Sequence, residues 1–272
     1  MTVVVTDLDG TLWGDDLVVR PRTRSAVAAL AADGVPVLAA TARRVRGARE
    51  LLAENGLALP IVGLNGALGE HADGTRFHDA SFSAGDAAAA LAAFARHGFA
   101  PCVYVAEPEV DVVLPPDPST NPGHVEYLRP SARVADDLAA VVRTSAVYGF
   151  SVLGRPQDEL APVTASLDRA GIPHDFAPEP KWPGWSVNAM PAGVSKWTGI
   201  RAFCASAGAP ADAVLAVGDG TNDLEMLGAA AWPLTIAGSR AAQRLPAVAT
   251  IPPPEADGWA QIPGLLRRHA AA

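Results

Sequence analysis

From Val3 to Leu64, short apolar runs alternate with helix-length segments, which limits this part of the chain to a sheet of parallel strands joined by crossover helices. Val3–Thr6 reads as a buried strand. Thr23–Asp33 reads as a helix stopped by Gly34, Val35–Ala39 as the next strand, Arg44–Glu54 as a helix ended by Asn55-Gly56, and Ile61–Leu64 as a third strand. The same rhythm returns late, with a helix expected at Ser195–Ala207 before Gly208 and a strand at Ala213–Val217. A short helix at Asp223–Leu227, a strand at Leu234–Ile236, a helix at Arg240–Arg244, a strand near Val248 and a closing helix at Trp259–His269 follow. The expected class is α/β, a doubly wound, Rossmann-like parallel sheet.

Between roughly Ser83 and Trp185 the texture changes. A helix at Ala84–Arg96 precedes two runs, Cys102–Ala106 and Val110–Leu114, and then a proline-rich loop, Pro115–Pro122. A helix at Ala132–Arg143, a strand at Ala146–Leu153, a helix at Asp158–Ala170 and strands near Ile172–Phe176 and Trp185–Val187 complete the stretch. The order predicts a separate α+β unit, residues 83–187, inserted into a core made of residues 1–82 and 188–272.

The 272 residues suffice for two such units, and 49% apolar against 18% charged residues excludes general disorder. The formal charge of -8, without a basic patch interleaved with aromatics, argues against a nucleic-acid partner. No apolar run is long enough to span a membrane and no charged leader precedes Val3-Val4-Val5, so neither a membrane nor secretion is expected and the reading is cytoplasmic. Cys102 and Cys204 lack metal or redox spacing and read as buried thiols, the histidines show no zinc spacing, and no serine sits in a nucleophile-elbow context.

The chemistry concentrates at strand ends. Asp7-Leu8-Asp9-Gly10-Thr11 follows the first strand directly, where a parallel sheet presents its carboxyl edge to ligands. Asp-Gly pairs also close ordinary turns, but Gly218-Asp219-Gly220-Thr221-Asn222-Asp223 repeats the arrangement after a second apolar strand. Thr41 follows the second strand, and Lys196, one of two lysines in the chain, opens a helix. Several carboxylates want a hard cation such as Mg²⁺, while a hydroxyl and an ammonium suit the oxygens of a phosphate; together they indicate phosphoryl transfer.

The four segments DLDGTL, ATAR, PAGVSK and GDGTND, in this order, resemble the four motifs of the haloacid dehalogenase superfamily of phosphohydrolases. Asn65-Gly66-Ala67, the long insertion before Lys196 and Ala256-Asp257-Gly258 are similar to the Cof-like branch, whose inserted cap is of type IIB. The resemblance implies that Asp7 is the nucleophile that becomes an aspartyl-phosphate and Asp9 the general acid and base. It implies Mg²⁺ held by the carboxylates of Asp7 and Asp219 and the backbone carbonyl of Asp9, with Asp223 assisting. Thr41 and Lys196 would hold the transferring phosphoryl oxygens, Asn222 would orient the group from a helix start, and Asn65 with Gly66 would line the same phosphate-binding floor. Ala42 stands where this branch commonly has glycine.

The expected enzyme is therefore a Mg²⁺-dependent phosphatase acting on a phosphorylated sugar or another small metabolite, with a cap that chooses the substrate. A sugar phosphomutase and a non-catalytic phosphometabolite-binding protein are the alternatives, and the sequence gives no oligomeric state. Lys181-Trp182-Pro183-Gly184-Trp185 is read as a hydrophobic hinge or lid, with sugar stacking or a second anion as the other possibility. Arg155 and His174 are candidate cap contacts, and Arg43, Arg44 and Arg46 are read as a solvated helix face.

Overall fold

The computed structural model describes residues 2–179 and 181–270, and the chain divides into two compact units, Met1–Asp79 with Val194–Ala272, and Ala80–Gly193. The first unit opens with β1 (Val3–Thr6), α1 (Pro21–Ala32), β2 (Val37–Ala40), α2 (Val45–Glu54) and β3 (Ile61–Gly63), and continues into a hairpin, β4 (Leu68–Glu70) and β5 (Arg76–Asp79). The second unit holds α3 (Ala84–Ala95), β6 (Cys102–Tyr104), β7 (Val112–Leu114), α4 (Pro122–Leu128), β8 (Ala132–Val134), α5 (Leu138–Thr144), β9 (Gly149–Arg155), α6 (Gln157–Ala170), β10 (His174–Pro178) and β11 (Trp185–Ala189). The chain then returns to the first unit with α7 (Lys196–Ser206), β12 (Val214–Gly218), α8 (Leu224–Ala229), β13 (Trp232–Ile236), α9 (Arg240–Arg244), β14 (Ala249–Ile251) and α10 (Ile262–Ala270).

The sheet of the first unit runs β14-β13-β12-β1-β2-β3-β4-β5, parallel from β14 to β3 and antiparallel through the hairpin. Every residue of β1 and β12 is buried, as expected of central strands covered on both faces. From β1 the chain passes to β2 on one side, whereas β12 returns on the other. The strand order therefore reverses between β1 and β12, the place where open α/β sheets bind ligands.

The second unit has its own six-stranded sheet, β10-β11-β9-β6-β7-β8, and its own core. Phe94, Phe150, Val152, Leu160, Val163 and Val187 are completely buried there, and a buried side chain of this kind contributes about 1.5–3 kcal/mol. Three features depart from the sequence reading. Ala132–Val134 is not the start of a helix but a strand parallel to β7, and the helix begins only at Leu138, where the Asp137 carboxylate accepts from Ala140 N. The proline-rich loop ends in α4, begun by Asn121, which accepts from Gly123 N, and by Pro122 in the first turn. The β4–β5 hairpin has no counterpart in the alternating pattern.

Trp182 and Trp185 both face protein. Trp185 packs on Phe176 at 4.7 Å between ring centroids, and Trp182 lies 4.7 Å from the buried His124 ring. The Lys181 ammonium lies 4.7 Å and 4.8 Å from the Tyr127 and Trp182 ring centres. Arg155 pairs with Glu159, and His174 Nδ1 meets the Ile172 carbonyl. Cys102 and Cys204 are both buried. No helix among the described residues is long and apolar enough to cross a membrane.

Candidate active site

Four strand ends place four groups side by side. Asp7 continues β1 and donates its N–H to the Val217 carbonyl of β12 at 2.9 Å; Asp219 follows β12. Thr41 follows β2, its N–H on the Val62 carbonyl at 2.8 Å, and Asn65 follows β3, its N–H on the Thr41 carbonyl at 3.1 Å. Since β12, β1, β2 and β3 are consecutive in the sheet, all four residues share one carboxyl edge.

The turn after β1 is compact. The Leu8 carbonyl accepts from Leu12 N at 2.9 Å and from Trp13 N at 3.2 Å, while Gly10 N donates to the Trp13 carbonyl at 2.8 Å. Gly10 has φ +76°, and a Cβ there would stand 2.7 Å from an Asp219 carboxylate oxygen, so glycine lets this turn approach the end of β12. Thr11 Oγ1 donates to Asp219 Oδ1 at 2.9 Å across that gap.

Lys196 reaches the same point from the first turn of α7. Its ammonium donates to Asp7 Oδ1 at 2.5 Å and to Asp223 Oδ1 at 2.6 Å, and all three side chains are buried. The other Asp223 oxygen accepts from the N–H groups of Asp219 and Gly220, at 3.0 and 2.8 Å, which closes the loop after β12 around it. Ser195 Oγ donates to Glu225 Oε1 at 2.7 Å, tying the start of α7 to α8.

The turn Leu64-Asn65-Gly66 has positive φ at every residue, 51°, 53° and 110°. Two of these are not glycine, a strained arrangement that surrounding contacts must hold in place. At Gly66 a Cβ would collide with the Ser195 carbonyl, so the absence of a side chain lets this turn lie against the peptide leading into Lys196. Asn222 Nδ2 donates to Asn65 Oδ1 at 3.0 Å. Asp7, Asp9, Thr41, Asn65, Gly66, Asp219, Asn222 and Asp223 are thus placed by this edge and the turns that leave it, and Lys196 by the start of α7.

One carboxylate oxygen from each of Asp7, Asp219 and Asp223 lies within 4.8 Å of the others. Three carboxylates face one ammonium, and the surplus negative charge together with an all-oxygen donor set fits a hard divalent cation. Burial pushes the Asp7 carboxyl up; Lys196 opposes this, Asp223 and Asp219 add to it, and the group titrates well above the ordinary aspartate value. Burial and Asp223 likewise raise Asp219. For Lys196, burial disfavours the charge, but Asp7 and Asp223 outweigh it and keep the ammonium protonated.

Asp9 points elsewhere. Its carboxylate receives Arg43 Nε on Oδ2 and Arg43 Nη2 on Oδ1, each at 2.6 Å, and Trp13 Nε1 on Oδ1 at 3.1 Å. Burial alone would raise this carboxyl, yet the Arg43 contacts, joined by Trp13, hold it below its ordinary value. Arg43 is therefore not part of a solvated helix face, and Arg44 is buried. Sequence reasoning also passed over Thr11, Trp13 and Trp259. Trp259 Nε1 donates to Thr6 Oγ1 at 2.9 Å, and Thr6 Oγ1 donates to the Asp7 carbonyl at 2.7 Å, which braces the Asp7 backbone from inside the core. Thr11 and Trp13 lie within or beside the DLDGTL segment, the one signal that pointed to them.

Such a group of residues can hold a cation between carboxylates, present one carboxylate oxygen to an electrophile beside an ammonium, and keep a second carboxyl nearby for proton transfer. The model of the haloacid dehalogenase-like hydrolase family matches residues 4–260. Among solved structures, a haloacid dehalogenase-like hydrolase from B. subtilis superposes with a TM-score of 0.77 at 17% identity, covering 96% of this chain and 98% of that one. A phosphatase of the haloalkanoate (HAD) enzyme superfamily from Bacteroides thetaiotaomicron gives 0.76 at 20% identity, over 96% and 93% of the two chains. A HAD subclass IIB sugar phosphatase gives 0.71 at 19% identity, over 96% and 97%. At these identities the likeness is one of fold. No curated protein matches the chain in sequence.

Proposed function

The chain belongs to the haloacid dehalogenase-like hydrolases, and from that premise we propose that it is a phosphatase that removes the phosphoryl group from a phosphate monoester of a sugar or another small metabolite. The observation that carries the reading is the buried contact of Lys196 with Asp7 and Asp223 beside Asp219 at the carboxyl edge of the sheet.

In this reading Asp7 attacks phosphorus, the bond from phosphorus to the leaving oxygen breaks, and that oxygen takes the proton carried by Asp9. Water then attacks the phosphoryl group on Asp7 and gives its proton to Asp9, and the bond to Asp7 breaks to release inorganic phosphate. Lys196, Thr41 and the Asn65–Gly66 turn with Asn222 bind the phosphoryl oxygens. Asp7, Asp219, Asp223 and the Asp9 backbone carbonyl would hold Mg²⁺, which when bound neutralises charge on the transferring group. The unit of residues 80–193 is assigned the choice of substrate.

Proton transfer of this kind supplies about 10²- to 10⁴-fold, far less than the up to ∼10²¹-fold acceleration that phosphate-monoester hydrolysis can require. The greater share falls to placing Asp7 in line and to the charges around the phosphoryl group. The test is hydrolysis of a panel of phosphorylated sugars and other small phosphate esters with Mg²⁺, with product analysis: free phosphate supports the reading, an isomerised ester a mutase, and no turnover contradicts both. Removing Asp7 as Asp7→Asn is expected to abolish release with the fold intact.

A further inference from the structure

We propose that Trp13 is a positioning residue for the proton transfers of Asp9, acting through its indole N–H. The inference rests on the phosphatase reading, in which Asp9 serves first as acid and then as base.

The geometry separates the two groups that hold Asp9. Arg43 grips both carboxylate oxygens, while Trp13 touches only Oδ1. An arginine on both oxygens favours the charged carboxylate. When Oδ2 carries a proton for the leaving group, Arg43 loses its charged partner, while Oδ1 remains an acceptor for Arg43 Nη2 and for the indole N–H alike. The neutral indole contact depends less on that charge than the guanidinium contacts do.

Rigidity follows from burial. The Trp13 side chain is completely buried, whereas the Asp9 side chain is 46% exposed and the Arg43 side chain lies between them at 19%. A short, half-exposed carboxyl has freedom to exchange rotamers, and a donor fixed in the core that favours one of them is the kind of ordering that positions a proton. The indole is itself fixed by the turn it closes, through Gly10 N on the Trp13 carbonyl and Trp13 N on the Leu8 carbonyl. Phenylalanine would fill most of the same space and lacks the N–H donor.

The experiment compares Trp13→Phe with wild type on two esters, an aryl phosphate whose leaving oxygen departs without a proton and an alkyl phosphate whose leaving oxygen needs one. The quantity read is kcat/KM, which covers the step that expels the leaving group. The expected result is a loss of about tenfold on the alkyl ester and less than about twofold on the aryl ester, the same direction as a larger selective loss in Asp9→Ala. An equal loss on both, or none on either, overturns the positioning role. Wild-type enzyme that cleaves neither ester contradicts the phosphatase reading itself, so the two failures are distinct.

A second measurement is independent of turnover and of whether Trp13→Phe folds. In ¹⁵N-labelled protein the assigned Trp13 indole N–H is expected to be slow to exchange and to shift in Asp9→Ala, while the Trp259 indole, bonded to Thr6, stays in place. A Trp13 signal indifferent to Asp9→Ala overturns the proposal.

Discussion

The Lys196 ammonium sits 2.5 Å from Asp7 Oδ1, with the lysine side chain 1% exposed and the aspartate 9%. A buried ion pair is held in place more by the loss suffered when one partner goes than by its own net stabilisation. Asp223 shares the same ammonium, so Lys196 serves two buried carboxylates.

Replacing that lysine should therefore be costly to the fold as well as to catalysis. Lys196→Met is expected to lower stability by about 3–5 kcal/mol in chelator, because the buried carboxylates of Asp7 and Asp223 lose the ammonium they share. Urea denaturation measures it, and part of the loss should return on adding Mg²⁺. A variant as stable as wild type in chelator would mean that the pair is not buried in solution.

The acid cluster should behave oppositely. Asp7 titrates above its ordinary 3.8 in the folded metal-free protein, so its charge costs stability once pH rises through the raised value; below the ordinary value the protonated group is neutral in both states. Asp7→Asn should consequently gain stability relative to wild type in chelator as pH increases above the ordinary aspartate value, with the difference closing at the acid end. Mg²⁺ should reverse the order, since a cation at 100 times its dissociation constant stabilises wild type by about 2.7 kcal/mol and Asp7→Asn by less. Thermal melts with chelator and with Mg²⁺ at several pH values check both signs.

Gly66→Ala tests the strained turn. The added methyl would meet the Ser195 carbonyl at a φ of +110°, and strain and overpacking together are expected to cost about 2–4 kcal/mol. Because the displaced peptide leads into Lys196, kcat should fall by at least about tenfold. Normal turnover in this variant would show that the turn has no part in placing the ammonium.

In the second unit, Glu107 accepts from Arg133 through both oxygens, at 3.0 and 2.8 Å, and from Ser145 at 3.1 Å. The Arg133 hydrogen bonds hold its carboxyl below the ordinary 4.5, so the contribution is present above that value and is lost as pH falls through the lowered one. Both side chains are about one-third exposed, which limits the contribution to about 0.2–1 kcal/mol. Glu107→Gln should show that deficit at pH 7 and none near pH 3 in denaturant titrations.

The strand-end residues were legible from sequence because a buried parallel strand fixes where the next residue lies. Val3–Thr6 and Val214–Gly218 stop where Asp7 and Asp219 begin, and pairing of the two strands brings the acids together without knowledge of any side chain. Trp13 and Arg43 were not legible for the opposite reason. A single indole between Leu12 and Gly14 carries no chemical signal of its own, and an arginine beside an expected helix reads as part of its solvated face. Their contacts to Asp9 exist only because the Leu8–Trp13 turn folds back and the Arg43 side chain reaches over it. Ala132–Val134 misled because the helical preference of alanine there is overridden by the parallel pairing with β7, which only the tertiary structure supplies.

In the proposed mechanism Asp7 carries the phosphoryl group during turnover. Acid-quenching the enzyme within its first turnovers on an aryl phosphate, and weighing the peptide that contains Asp7, tests it directly. A fraction of that peptide is expected to be heavier by one phosphoryl group, with no such species in Asp7→Asn; turnover that persists in Asp7→Asn, or a phosphoryl group on a different residue, would contradict this role of Asp7.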